Sequence, residues 1–174
     1  ASVPIAGGLL GGSVQYVKPE LEIVQYVPTS RRTGFGLRAQ GGYLRPFGDT
    51  DRLPYYLRYF LGGETQIRGY EIRTVGPFDA NYRAIGGNRF VLFNAEYYVN
   101  IAGPLQAVLF HDAGQAFRET DPLDLRQLRT SSGIEFRMVM PMLNVPFRVI
   151  YAWNVYRATF QPARALKFSV GTTF

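Results

Sequence analysis

Few side chains in this sequence are placed for bond-making chemistry. Its one histidine, His111, is followed directly by Asp112. Neighbouring residues of a strand point to opposite faces, so the two cannot form a dyad there. His111 is expected to face lipid or an interface. Cysteine is absent, which removes thiol catalysis, disulfides and thiolate metal sites, and one histidine is too few for a histidine-rich zinc centre. Gly62 and Gly63 lack the Gly-Lys-Ser/Thr of a phosphate loop. Glu20, Glu22, Glu96, Asp112 and Glu135 fall on one strand face by spacing, and paired acids can carry out hydrolysis. Arg38, Arg129, Arg137 and Arg148 share that face, so the set reads as a charge-balanced interior. No catalytic residue, metal or cofactor is expected.

A single arginine stands out instead: Arg68, within FLGGETQIRGY (Phe60 to Tyr70). It lies in a connection from Phe47 to Asn88, far longer than the ~2–5 residues of a hairpin loop. Such a connection is normally disordered or functional. This one carries Tyr55, Tyr56, Tyr59, Phe60, Ile67, Tyr70 and Ile72, which need a surface to pack on. Gly62, Gly63 and Gly69 allow sharp turns or close approach. The segment reads as a loop that folds back into its own protein and carries Arg68 with it.

Strands must hold that loop. Period-2 alternation predicts eight, at about 1–7, 13–27, 33–46, 89–100, 104–117, 126–140, 145–156 and 164–174, and no segment has helical periodicity. One face is apolar. It carries Val17, Leu21 and Ile23 in the second strand, Phe35, Leu37, Ala39 and Tyr43 in the third, and Val91, Phe93 and Tyr97 in the fourth. Phe136 and Met138, Val149 and Trp153, and Leu166, Phe168, Val170 and Phe174 continue it. The opposite face mixes both signs of charge, from Lys18 and Glu20 to Lys167.

A soluble sheet with its apolar side inward would alternate in the same way. Two details favour lipid. Several strands are longer than the usual ~5–6 residues. Tyr26, Tyr43, Phe117, Phe147, Trp153 and Phe174 gather near strand ends, which suits interfacial girdles. The 174 residues make one domain, 18% charged and 15% aromatic, in keeping with much lipid-facing aromatic surface. The net charge of +6 is scattered singly rather than in a run, which argues against nucleic acid. No apolar run approaches the ~18 residues of a membrane helix, but a barrel crosses with ~9–11 residues per strand. The opening ASVPIAGGLL has no basic start and does not read as a signal peptide. Connections 28–32, 101–103 and 141–144 are short, whereas 8–12, 47–88, 118–125 and 157–163 are mostly longer. Outer-membrane barrels keep their short turns periplasmic. Both termini are therefore expected on that side.

Taken together, these residues resemble the BamA/TamA superfamily of outer-membrane assembly factors, the bacterial surface antigen family. That family's loop tip reads Val/Ile-Arg-Gly-Phe/Tyr; here it is Ile67, Arg68, Gly69 and Tyr70. Its Phe-x-Asp-x-Gly strand motif is matched by Phe110, Asp112 and Gly114. The order of a Gly-Gly hairpin, GYLRPFGD, the loop, GGNRF, the aspartate strand and a terminal strand closing on Phe174 matches as well, over essentially the whole chain. The resemblance implies an antiparallel up-and-down transmembrane β-barrel, integral to the bacterial outer membrane, that assembles and inserts other barrels, with unfolded outer-membrane proteins as clients. It implies that Arg68 reaches into the lumen and meets Asp112, with Glu135 on the next strand as a second acceptor. A guanidinium in a restricted lumen needs such a partner. Phe168, Val170 and Phe174 resemble the C-terminal signal by which barrels are recognised for assembly.

The family's barrel has sixteen strands and follows soluble periplasmic repeats. Eight strands without those repeats look like its C-terminal half, and other assembly-complex subunits would be met through the missing periplasmic part. Eight strands also leave two edges, and a closed eight-stranded barrel has no room for the long loop. An open half, or two copies sharing edges as a homodimer, is expected. The alternatives are a small outer-membrane barrel with an enzymatic or adhesive role, a protein-translocating relative, and a soluble ligand-binding barrel with its polar face outside.

Overall fold

The structure, a computed structural model, describes residues 1–6, 14–48, 53–140 and 145–171. Seven strands form one antiparallel sheet: β3 (Glu20–Pro28), β4 (Thr33–Tyr43), β6 (Arg89–Ala102), β7 (Leu105–Phe117), β8 (Arg129–Met140), β9 (Val145–Trp153) and β10 (Arg164–Val170). Chain neighbours in that set are sheet neighbours throughout, an up-and-down meander. A smaller sheet holds β1 (Ile5–Ala6), β2 (Tyr16–Val17) and β5 (Arg45–Pro46). Helix is confined, among the described residues, to single 3-10 turns at Tyr55–Leu57 and Leu125–Gln127.

The small sheet extends the large one in the same register. Val17 faces Arg45; three residues on, Glu20 faces Gly42. A proline explains the interruption. Pro19 has no N–H to give the ladder, although its carbonyl still accepts from Tyr43 N at 3.0 Å. On the other strand Leu44 keeps the register of β4 with β6, its N–H donating to Asn88 O at 2.6 Å, and buries its side chain. Ser2 and Glu20 exchange backbone hydrogen bonds of 2.9 and 2.8 Å, so the N-terminal segment follows the same edge. The predicted strands 13–27 and 33–46 are thus each broken near the loop, and the predicted strand 1–7 shrinks to a two-residue rung. The predicted strand 126–140 begins at Arg129, and 145–156 ends at Trp153. The turns at 8–12 and 141–144, and Phe174, lie outside the described residues.

Alternation sorts the faces. Leu37, Phe93, Leu109, Phe136, Val149 and Phe168 are exposed on one side. Asn94, Glu96, Asp112, Ser131, Glu135, Arg148 and Lys167 are buried on the other. The burial comes from the 53–88 segment, which lies across the polar face. Tyr59 exchanges backbone hydrogen bonds with Gly87, and Leu61 with Val75, so the segment is itself a two-limbed ladder. The sheet remains open: β10, and β3 beyond Glu20, each have one strand neighbour among the described residues.

Near the loop's entry the inner face is apolar, a zone the alternation pattern does not predict. Leu44, Phe90, Leu92 and Ala116 of the sheet pack against Tyr59, Leu61, Ile67, Tyr70 and Val75 of the loop. Other expectations are corrected here. Phe117 is not a girdle aromatic but is buried, with Gly87 pressed against its backbone so closely that a Cβ would collide. Tyr56 and Ile72 are exposed rather than packed, and Tyr55, half exposed, packs on Phe60 of the loop itself at 4.7 Å between ring centres. The loop presents them away from the sheet.

Candidate functional site

The loop reaches its tip through Gly62 and Gly63, whose φ angles of 111° and 99° exclude ordinary side chains. Gly63 N donates to Tyr70 O at 3.0 Å, and Tyr70 N to Ile67 O at 3.1 Å, closing the tip on itself. The tip then meets β7, where Phe110, Asp112 and Gly114 share the inner face because they are two residues apart. Each has a task. Phe110 sets its ring 3.9 Å from the guanidinium carbon of Arg68. Asp112 supplies the carboxylate. Gly114 leaves space: a Cβ there would come within 3.1 Å of Ile67 Cδ1 and Leu61 Cδ1.

Arg68 is 1% exposed, and every donor group of its side chain is used. Nε donates to Asp112 Oδ2 at 2.8 Å and Nη2 to Oδ1 at 2.6 Å, the two-pronged pairing that fixes a guanidinium in plane. Nη1 donates to Glu96 Oε1 at 2.6 Å and to Glu135 Oε2 at 2.9 Å. The backbone N–H of Arg68 also reaches Asp112 Oδ2, at 3.1 Å. Burial works against the charge of Arg68, but Asp112, then Glu96 and Glu135, outweigh it and hold the group firmly protonated.

The carboxylates have further partners. Arg137 bridges Glu96 and Glu135 at 2.6 Å each. Arg148 Nε donates to Glu135 Oε1 at 2.5 Å. Three guanidiniums thus face three carboxylates, and the cluster is neutral. A buried charge is tolerable only when paired in this way.

The sheet also grips the tip's backbone. The carbonyls of Glu64, Thr65 and Gln66 accept from Arg148 at 3.0 Å, Arg38 at 3.0 Å and Asn94 at 2.6 Å. Asn154 Nδ2 donates to Gly69 O at 2.7 Å. A Cβ on Gly69 would collide with Asn154 Oδ1 and Ser131 Oγ, which explains the glycine. Tyr70 reaches further, its hydroxyl donating to Thr130 O at 3.2 Å or Tyr156 O at 3.0 Å, and burial pushes that hydroxyl up to about 12.

The structure therefore gathers Ile67, Arg68, Gly69, Tyr70, Phe110, Asp112, Gly114 and Glu135 at one place. Phe168 and Val170 are elsewhere, exposed on the outer face, and Phe174 is outside the described residues. His111 is exposed on the face opposite Asp112, with Nδ1 2.7 Å from Ser132 Oγ. Sequence reasoning puts Glu96 on the polar face but does not name it as a partner of Arg68. It also passes over Arg137, Arg148, Asn94, Asn154 and Lys167 as parts of the site. The available signal was the register: Asn94 lies directly opposite Asp112, one inward step from Glu96 on β6.

Known proteins share this arrangement of strands. The chain matches the Omp85 superfamily domain over residues 2–174. It is 30% identical over 173 residues to the outer membrane protein assembly factor BamA of Nitratidesulfovibrio vulgaris, covering 97% of this chain and 22% of that protein. With BamA of Neisseria meningitidis it shares 24% identity, over 95% of this chain and 25% of the relative. A 72-residue stretch, 40% of this chain and 15% of the relative, is 33% identical to the mouse sorting and assembly machinery component 50 homolog. Among solved structures, BamA from Haemophilus ducreyi lacking POTRA domains 1-3 has a TM-score of 0.70 at 20% identity, over 89% of this chain and 34% of that one, a likeness of fold. The chain spans at most a quarter of the two BamA relatives. With the domain match running almost from end to end, this chain belongs to the Omp85 superfamily.

Proposed function

We propose that the chain is the C-terminal half of an outer-membrane barrel that folds and inserts other β-barrel proteins. Its relatives named as assembly factors support this, and one observation in the structure carries it. A loop that could have stayed at the surface is drawn onto the polar face and fixed there by Arg68, on carboxylates from β6, β7 and β8. In this reading the exposed apolar face lies against acyl chains, and the loop occupies the lumen. The tight turns after β3 and β6, at the end opposite the long loop, face the periplasm, and so does the end of β10; the N-terminal segment lies nearer the loop end, Ser2 pairing with Glu20. The free edges at β3 and β10 are completed by further barrel strands or by a second copy. Unfolded outer-membrane proteins are the clients, and assembly subunits bind through periplasmic segments. The buried acids are tied up in ion pairs, so no catalysis is assigned to them.

The test uses the protein as the cell makes it, reconstituted in lipid vesicles with an unfolded reporter barrel. Arg68→Met and Asp112→Asn are each expected to slow reporter insertion sharply; full insertion by both overturns the reading. Exchanging the two charges is not expected to rescue. Arg68→Asp would set a new carboxylate against Glu96 and Glu135, which also depend on that arginine. The mass in detergent addresses the edges: a two-copy particle supports pairing, and a monomer with every strand paired excludes it.

A further inference from the structure

We infer that Lys167 ties the terminal strand to the loop, so that pairing of β10 and docking of the tip depend on each other. β10 is seven residues long and, among the described residues, pairs with β9 alone. Lys167 is its one buried residue. The ammonium donates to Tyr70 O at 2.7 Å and lies 3.1 Å from Glu71 Oε1 and 3.3 Å from Glu64 Oε1. One hydrogen bond and two ion pairs thus converge on the ammonium. All three partners belong to the loop, and they bracket the Ile67–Gly69 tip on both sides. This contact shares no side chain with the Arg68 cluster.

Strands β8 and β9 each have neighbours on both sides, so one side-chain contact adds little to their retention. The described sheet ends at β10, so any strand that completes it there comes from outside the described residues; such a junction opens more easily than an interior one, and there one buried ionic contact weighs more. The coupling runs both ways by thermodynamic necessity. A docked tip favours a paired β10, and a β10 drawn away from β9 loosens the tip. An edge is where an added strand pairs, so Lys167 would set the availability of that edge to an incoming chain. It is a positioning residue. Its effect on insertion rests on the function proposed above; the tie between loop and strand does not.

Hydrogen exchange, measured by strand on the full protein in lipid vesicles, tests the tie. Lys167→Met is expected to speed exchange of the β10 amides by about tenfold, the scale of a lost buried charge-assisted hydrogen bond. The amides of β6 and β7 should keep their protection, and Lys167→Arg should recover most of the effect. Glu64→Gln combined with Glu71→Gln, which leaves the Arg68 cluster whole, should release β10 in the same way. Arg68→Met should speed β10 exchange when Lys167 is present and add little in the Lys167→Met background. Unchanged β10 exchange in Lys167→Met overturns the tie, as does a uniform rise across β6 to β10. Reporter insertion in the same vesicles separates the two claims. A released β10 with normal insertion keeps the tie and counts against the insertion reading.

Discussion

The loop docks on two zones of the same inner face, and they hold it by different physics. Toward its entry, Tyr59, Leu61 and Val75 pack on Leu44, Phe90, Leu92 and Ala116. At its tip, Arg68 enters a cluster of three carboxylates shared with Arg137 and Arg148. Apolar packing is non-directional and scales with area. It can keep the loop on the sheet, but it tolerates small shifts of one against the other. The guanidinium tolerates none, because its Nε and Nη2 must both meet Asp112 while Nη1 meets two further acids. The entry zone therefore supplies adhesion and the tip zone supplies position.

That division can be broken by substitution, and protease cleavage after Tyr59 and Tyr70, both buried while the loop is docked, reports loop release. Arg68→Met should have the largest effect, a loss of about 3–5 kcal/mol in docking, because it strands buried carboxylates. Leu92→Ala should cost about 2–5 kcal/mol through the cavity it leaves, whereas Leu92→Met should cost less than about 1.5 kcal/mol. If Leu92→Met matches Arg68→Met, the two zones do not differ as described. Gly69→Ala should cost about 1–3 kcal/mol by overpacking. Adding Asn154→Ala, which removes one obstructing oxygen, should relieve part of that strain. Tyr70→Phe should be mildest, at about 0.5–1.5 kcal/mol for its hydroxyl's hydrogen bond. A null result there would assign Tyr70 to packing alone.

The strands were legible because one side of each is greasy and the other is not, a contrast that survives wherever a face is covered. Their interruptions were not. Pro19 was visible in the sequence, but the burial of Leu44 under Tyr59 and Leu61 depends on a loop whose path no local pattern gives. Arg68 and Asp112 come together in the reading through motif likeness, not spacing. Glu96, Arg137 and Arg148 needed the strand registers, which place residues level across the sheet, and alternation leaves the registers open. Phe90 and Leu92 show the limit from the other side. The pattern tells which face a residue occupies, not what will cover it. Lys167 lies 97 positions from Tyr70, so only the folded chain brings them together.

The neutrality of the tip cluster has a consequence for the loop's departure. Take Arg68 away with the loop, and Glu96, Asp112 and Glu135 are left with only Arg137 and Arg148 to answer them. The uncovered face would then carry one uncompensated negative charge. A small cation from the medium would be drawn to it. The two positions of the loop would therefore differ in what they take up from the medium. Added salt should favour the withdrawn position, so the ionic strength of the surrounding compartment becomes a lever on the loop.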